Sequence, residues 1–208
     1  MNAYLGDLFH HCWEALGAQG DESELFQALL TAYQEPQRHY HTLEHLSECM
    51  ALFDDHRHLA RQPAEVEMAL WFHDAVYDVQ AHDNEARSAQ WAETALTQAG
   101  VGRHHVQQVV QHILATRHTQ APQMGDQSLL VDVDMAILGA PRARFDAYET
   151  QVRAEYAWVP EAVFRQKRGE ILTAFLARPL LYQTPVLHQL LEAPARANLA
   201  HSLQALQA

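Results

Sequence analysis

Apolar residues recur at helical spacing along most of the chain, and this pattern predicts an all-α fold. Leu43, Leu46, Met50 and Phe53 form one such stripe, because positions three or four apart share one face of a helix. No stretch alternates apolar and polar residues for long enough to predict a β-strand. We therefore expect helices at 3–17, 22–34, 42–60, 64–78, 84–99, 103–117, 128–138, 142–157, 160–176 and 184–206.

Residues that favour helix ends support these limits. Gly17 and Gly20 separate the first two predicted helices, and Thr42 opens the third, where a side-chain oxygen can cap the backbone. Pro63 stands where the fourth helix begins, a position that proline favours. The clearest predicted loop runs from 119 to 126.

The pair His73–Asp74 interrupts an apolar stretch that runs from 69 to 77. Burying an imidazole and a carboxylate without partners is costly. Neutral imidazole and ionised carboxylate are ligands that divalent first-row ions prefer, so a bound ion would remove the cost. The pair predicts a metal site on the fourth helix, with His73 on its apolar stripe.

Two further polar residues lie on helix faces that are otherwise apolar. His45 shares a face with Cys49 and Leu52, and His41, one turn earlier, is an alternative ligand. Two cysteines in the whole chain do not predict a disulfide framework, and the position of Cys49 predicts a buried, reduced thiol.

Asp134 is the second of these residues. It shares its stripe with Leu130 and Ile137, whereas Asp132 falls on another face and is the less favoured alternative. Polar groups from separate helices can converge inside a helical bundle. The pattern thus predicts His45, His73, Asp74 and Asp134 as metal ligands, and this mixed donor set suits Mn, Fe, Co, Ni or Zn.

The order His, His-Asp, Asp resembles the HD superfamily of metal-dependent phosphohydrolases. The resemblance is to a bacterial branch described as predicted metal-dependent HD phosphohydrolases, and it extends beyond the ligands to 38–45, 72–78, 83–89, 113–118, 132–139, 182–184 and 195–199. It implies one HD-type helical domain over 1–208. Its metal core would span about 38–139, and C-terminal helices at 140–208 would pack on that core.

The resemblance implies hydrolysis of a small phosphate ester, such as a phosphomonoester or nucleotide, by metal-activated water. Asp74 would accept a proton from the nucleophile, and His112 and His118 would assist catalysis by offsetting charge on the phosphoryl group. The residues expected to bind substrate are His41, Glu85, Ser88, Thr116 and Arg117.

Three alternatives to this activity stay open. Histidines of the 104–118 region could hold a second metal, as in a non-haem di-iron oxygenase. Some nucleotidase relatives carry an acidic glutamate where this chain has Tyr77–Asp78, which leaves room for a non-catalytic module that binds a phosphometabolite. His41 to His45 also match an inverted zinc-protease motif, but that interpretation leaves His73–Asp74 unexplained.

Charge and hydropathy narrow the class of partner. Fourteen basic against 26 acidic residues give a formal charge of −12, which repels a polymeric nucleic acid in the absence of a basic cluster. No apolar run is long enough to span a membrane, and the N-terminus has no signal-peptide pattern. We expect a cytoplasmic protein that binds a small phosphorylated molecule, with homo-oligomerisation left open.

Overall fold

The computed structural model of the chain describes residues 2–118 and 122–207, and within these ranges it is all-helical, without a strand. This confirms the predicted fold class. The helices are α1 (Asn2–Ala15), α2 (Ser23–Ala32), α3 (Leu43–His56), α4 (Pro63–Phe72), α5 (Asn84–Gln98), α6 (Arg103–Ala115), α7 (Asp126–Asp134), α8 (Arg142–Glu155), α9 (Glu161–Leu176) and α10 (Pro185–Gln207). Short 3₁₀ segments follow α3, at Arg57–Leu59, and α7, at Met135–Gly139.

The residues chosen as helix ends act as expected. Thr42 is extended, and its hydroxyl accepts a hydrogen bond from the backbone N–H of Glu44, which caps α3. Pro63 is the first residue of α4. Gly17 and Gly20 both have positive φ, at 71° and 91°, a conformation that strains any side chain with a Cβ.

Three predicted helices end four or more residues early, and the first of them, α3, stops at His56 rather than at 60. α4 stops at Phe72 rather than at 78, so that His73 and Asp74 lie in a turn and not on a helical stripe. α7 begins at Asp126 and ends at Asp134, two residues early and four short of the prediction. Of the predicted loop at 119–126, residues 119–121 lie outside the described residues.

The chain divides into two compact units, Met1–Val133 and Asp134–Ala208. The division falls close to the predicted limit at 139/140, and a single domain over 1–208 stays a prediction. In the first unit α4 is central: it packs against α1, α3, α5 and α6, and every residue from Glu65 to Phe72 is buried. None of the helices in the described ranges is long and apolar enough to cross a membrane.

Aromatic side chains fill the core around α4. The Trp71 ring, fully buried, meets the edges of Phe9 and Phe26 with ring centroids 5.1 and 5.9 Å away. The hydroxyl of Tyr33 donates to the carbonyl of Trp71 at 3.2 Å. These contacts hold the C-terminal end of α4 in place within the first unit.

In the second unit the 3₁₀ segment Met135–Gly139 packs against α10 and α8. Tyr182 donates from its hydroxyl to the carbonyl of Met135, and the Asn198 amide donates to the carbonyls of Leu138 and Ala140. These bonds satisfy carbonyls that a short helical segment leaves unpaired. Gly139 allows the close approach, since a Cβ there would lie 2.8 Å from Cβ of Leu191.

We expect Gly139→Ala to lower the free energy of unfolding by about 1–3 kcal/mol, because the added methyl group meets backbone and Cβ atoms of Leu191. Gly169→Ala is the matched control. Its Cβ would meet Leu203 at 3.8 Å, an ordinary contact, and alanine in a helix gains about 0.5–1 kcal/mol over glycine. Urea unfolding checks both, and an unchanged or raised stability in Gly139→Ala would contradict the packing argument.

Glu67 is a buried carboxylate on α4 that pairs with Arg57, while its Oε1 has no hydrogen-bond partner in the described structure. Burial raises the pKa of the Glu67 carboxyl, and Arg57 offsets only part of that effect. An acid whose pKa is higher in the folded than in the unfolded state stabilises the fold below its unfolded pKa and loses this contribution as the pH rises through the folded value.

We therefore expect the unfolding free energy of the wild type, relative to Glu67→Gln, to fall as the pH rises from about 4, the ordinary value for glutamate, through the raised pKa. Denaturant unfolding of both proteins over a pH series measures this difference. If the difference in unfolding free energy between wild type and Glu67→Gln stays constant or grows with pH, Glu67 is ionised in the folded protein without an energetic penalty.

Candidate metal centre

A buried arginine shapes the turn that carries His73 and Asp74. Arg38 is 5% exposed, and its guanidinium donates to the carbonyls of Asp74 and Ala75 at 2.6 and 3.0 Å. The same group donates to the carbonyl of His41 at 3.2 Å and pairs with Glu35. Arg38 thus ties the residues before α3 to the residues after α4, which brings two histidine-bearing segments together.

The orientation of His73 is fixed from within α4. Its Nδ1 donates to the carbonyl of Leu70 at 2.7 Å, so in the neutral ring Nε2 is the nitrogen that can bind a metal. Metal-binding histidines commonly make such a second hydrogen bond, which sets the tautomer and the ring direction. His73 is 1% exposed and is therefore held as a preorganised nitrogen donor.

His45 faces His73 from α3. It is buried, and its Nε2 lies 3.1 Å from Nε2 of His73. Its Nδ1 lies 3.0 Å from the hydroxyl of Tyr40, again a hydrogen bond on the opposite side of the ring. The two imidazoles present their Nε2 atoms to one point.

Asp74 supplies a carboxylate to the same point. Its Oδ2 lies 3.1 Å from Nε2 of His73 and 3.5 Å from Nε2 of His45. Burial alone would raise the pKa of Asp74, but the charges of His73 and His41 and the hydrogen bonds from His45 and His73 hold it well below its ordinary value. Asp74 is thus an ionised oxygen donor beside two nitrogen donors.

These spacings match those of ligands around one ion. Two donors that each lie about 2.1 Å from a metal are about 3.0 Å apart at right angles and about 3.4 Å apart at the tetrahedral angle. The measured distances among His45, His73 and Asp74 run from 3.1 to 3.5 Å. The arrangement can therefore accept an ion without a large movement of these side chains.

A compact group of four side chains could hold a metal ion: His45, Cys49, His73 and Asp134, whose ligand atoms all lie within 4.8 Å of one another. Asp134 is the last residue of α7, and the rest of that helix belongs to the first unit. The first three residues are buried and Asp134 is half-buried. The group includes His45 rather than His41 and Asp134 rather than Asp132, and it does not include Asp74, the remaining predicted ligand.

Cys49 is the member of this group that sequence reasoning missed as a ligand. It is buried, and its Sγ lies 3.7 and 3.8 Å from Nδ1 and Nε2 of His45. Its spacing from His45, four residues along α3, was a usable signal, because such pairs share one helix face. Cys12, the other cysteine, is also a buried free thiol and donates to the carbonyl of Ala64.

Two of the predicted substrate-binding residues lie close to this centre in different ways. The His41 ring stacks on Tyr77, with centroids 4.2 Å apart, and its charge acts on Asp74. Ser88 is buried, and its Oγ accepts from the backbone N–H of Val76 at 3.0 Å. The charge of His41 thus reaches Asp74, whereas Ser88 anchors the turn.

The other predicted substrate-binding residues show no such placement. Thr116 is buried, and its hydroxyl donates to the carbonyl of Ile113 in its own helix. Arg117 is exposed, beyond the end of α6. Glu85 is half-buried in the first turn of α5. The contacts of these three side chains, as far as the structure describes them, do not connect them to the candidate ligands.

The predicted catalytic residue His112 lies near the other end of α4. Burial lowers the pKa of His112, and the charges that act on it are those of Glu65 and Asp126. Glu65 precedes His73 by eight residues, or about 12 Å along a helix. His118 is half-buried with φ of 55° and adjoins the undescribed residues 119–121. Neither histidine belongs to the compact group.

The zinc-protease alternative finds no support in this geometry. The motif needs His41 and His45 as joint ligands and Glu44 as a base. The rings of His41 and His45 are 5.9 Å apart at their centroids, and His41 stacks on Tyr77 instead. Glu44 is exposed at the start of α3.

We expect Arg38→Met to lower the free energy of unfolding by about 2–4 kcal/mol, because it leaves buried carbonyls without donors. Arg103→Met is the control: Arg103 is exposed at the start of α6, and such surface changes usually stay within about 0.5 kcal/mol. Urea unfolding measures both variants. Equal stability of the two would show that the turn after α4 does not depend on the guanidinium.

Comparison of the chain with protein-family models, with curated proteins and with solved structures found no match in any of the three. The functional interpretation therefore rests on the residues and on their geometry. What these support directly is an all-α protein with a buried His/Cys/Asp group that could hold a metal ion.

Proposed function

We propose that this protein is a metal-dependent phosphohydrolase that cleaves a small phosphate ester. The observation that carries the proposal is the convergence of the His45 and His73 Nε2 atoms, 3.1 Å apart, with an ionised Asp74 carboxylate beside them. Asp134 belongs with His45, Cys49 and His73 to the compact group that could hold the ion. The order of these residues in the chain agrees with the resemblance to HD phosphohydrolases.

His45, His73, Asp74 and Asp134 would hold one divalent ion. When bound there, such an ion lowers the pKa of water from about 15.7 toward 7 and polarises a phosphoryl oxygen. The chain contributes the preorganisation, because the hydrogen bonds of Nδ1 of His73 with the Leu70 carbonyl and of Nδ1 of His45 with the Tyr40 hydroxyl fix both rings before any ligand arrives.

Asp74 is the side chain best placed to accept the proton of the attacking water. Its side chain is 18% exposed, whereas those of His45 and His73 are 2% and 1% exposed. Unlike the two histidines, it therefore has a path to solvent. His41 is half-buried against Tyr77, its charge acts on Asp74, and it would bind a phosphate oxygen.

Among the described residues, the compact group of His45, Cys49, His73 and Asp134 is the only cluster of three or more His, Cys, Asp or Glu side chains arranged to hold a metal. This supports a site with one ion over the di-iron oxygenase alternative. The net charge of −12 also favours a small phosphorylated substrate over a nucleic-acid polymer. The cytoplasm, where such metabolites are found, is the proposed compartment.

The first experiment measures metal content of full-length protein purified without chelator, together with phosphate release from a panel of phosphomonoesters and nucleotides. We expect one ion per chain, lost in His73→Ala and Asp134→Ala. Phosphate release should fall by at least about 100-fold in both, since even loss of an outer hydrogen bond to a ligand costs 10–100-fold.

His112→Gln is the matched control, a change at another buried histidine whose charged neighbours are Glu65 and Asp126. It should keep its ion. Loss of metal in His112→Gln, with two irons in the wild type, would favour the oxygenase. Tight binding of a phosphometabolite without phosphate release would favour a non-catalytic module, and metal retained in both His73→Ala and Asp134→Ala would refute the site.

A further inference from the structure

Cys49 gives the candidate metal centre a soft donor that the proposed hydrolysis does not use. The thiol is 3% exposed and reaches the centre from α3, one turn beyond His45. Its Sγ lies 4.0 Å from the carbonyl of Val133, the residue before Asp134. The side chain therefore points between α3 and the end of α7, where the ligand atoms converge.

The distances fit coordination of the sulfur to an ion held by the histidines. Zn–S and Zn–N bonds of about 2.3 and 2.1 Å at the tetrahedral angle place the two ligand atoms about 3.6 Å apart. The Cys49 Sγ lies 3.8 Å from Nε2 of His45. A shift of a few tenths of an ångström would complete the contact.

The centre thus offers two alternative fourth ligands to one ion. In both arrangements the other three ligands are His45, His73 and Asp134. The fourth is either Asp74, whose Oδ2 lies 3.1 Å from Nε2 of His73, or Cys49, which belongs to the compact group. Carboxylate oxygen suits harder ions such as Mn²⁺, whereas thiolate selects softer ions such as Zn²⁺ or Cd²⁺. Four protein ligands around zinc are typical of closed, structural sites, and catalytic sites keep an open position.

We propose that Cys49 makes this centre a selective, tight site for thiophilic ions, in which Zn²⁺ is held by His45, Cys49, His73 and Asp134 instead of through Asp74. On binding, a bond forms between the ion and Sγ, and the S–H proton is released to solvent. The proposal rests on the proposed function for the identity of the centre, and it implies that zinc occupies the site in an unproductive form.

Metal binding to the metal-free, full-length protein tests this without any measurement of activity. Co²⁺ is the spectroscopic probe: the wild type should show a near-ultraviolet thiolate-to-cobalt charge-transfer band, and Cys49→Ser should lose that band while it keeps the visible d–d bands. Zn²⁺ affinity, measured by competition with a chromophoric chelator, should fall by at least about 100-fold in Cys49→Ser. Mn²⁺ affinity, measured by electron paramagnetic resonance, should change by less than about threefold.

Cys12→Ser is the matched control, since Cys12 is also buried but donates to the carbonyl of Ala64. It should keep the charge-transfer band. Asp74→Asn should show the reverse selectivity of Cys49→Ser, with weakened Mn²⁺ binding and retained Zn²⁺ binding. Cys49→Ala provides a second test if the serine variant does not fold.

Two failures are distinguishable. A wild type that binds Co²⁺ without a thiolate band, together with unchanged Zn²⁺ affinity in Cys49→Ser or Cys49→Ala, would overturn the role of Cys49 and leave the metal centre intact. A wild type that binds none of the three ions would overturn the proposed function and this inference together.

Discussion

The hydrogen bonds from Arg38 to the chain after α4 are the constraint on which the candidate centre depends. A buried guanidinium loses its hydration, and that loss is offset only if its donors find acceptors. Here the acceptors are carbonyls of His41, Asp74 and Ala75, and Tyr33 and Tyr77 lie against the cation with ring centroids 5.3 and 5.4 Å away. Removing these bonds would release both histidine-bearing segments at once.

This constraint also explains why sequence periodicity predicted α4 wrongly at its end. Val76 and Tyr77 continue the apolar spacing of the helix, and nothing local forbids another turn. The helix ends because the Arg38 guanidinium donates to the carbonyls of Asp74 and Ala75 and the Ser88 hydroxyl accepts from the N–H of Val76, in place of bonds that a further helical turn would make. Both contacts are tertiary, so local pattern cannot reveal them. Helix starts, where Thr42 and Pro63 act locally, were predictable.

The candidate ligands were visible in sequence because polar residues on apolar helix faces are costly. His45 and Asp134 carry that signal, and the structure places both in one compact group. His112 carries the same signal but lies near Glu65, at the opposite end of α4. Periodicity shows which face of its helix a residue occupies, but not how far along the neighbouring helices it lies. It therefore cannot distinguish a candidate ligand from a buried histidine at the opposite end of α4.

Free cysteine packs in protein cores as a small apolar residue does. In the sequence pattern Cys49 is therefore indistinguishable from an ordinary core position. The structure shows why chemistry matters there. The bonds that fix both rings, from His73 to Leu70 and between His45 and Tyr40, lie on the sides of the imidazoles away from the shared point. These hydrogen bonds orient the two rings in the same way whichever ion binds. Discrimination among ions must then come from the remaining donors, and in this centre those are one sulfur and two carboxylates.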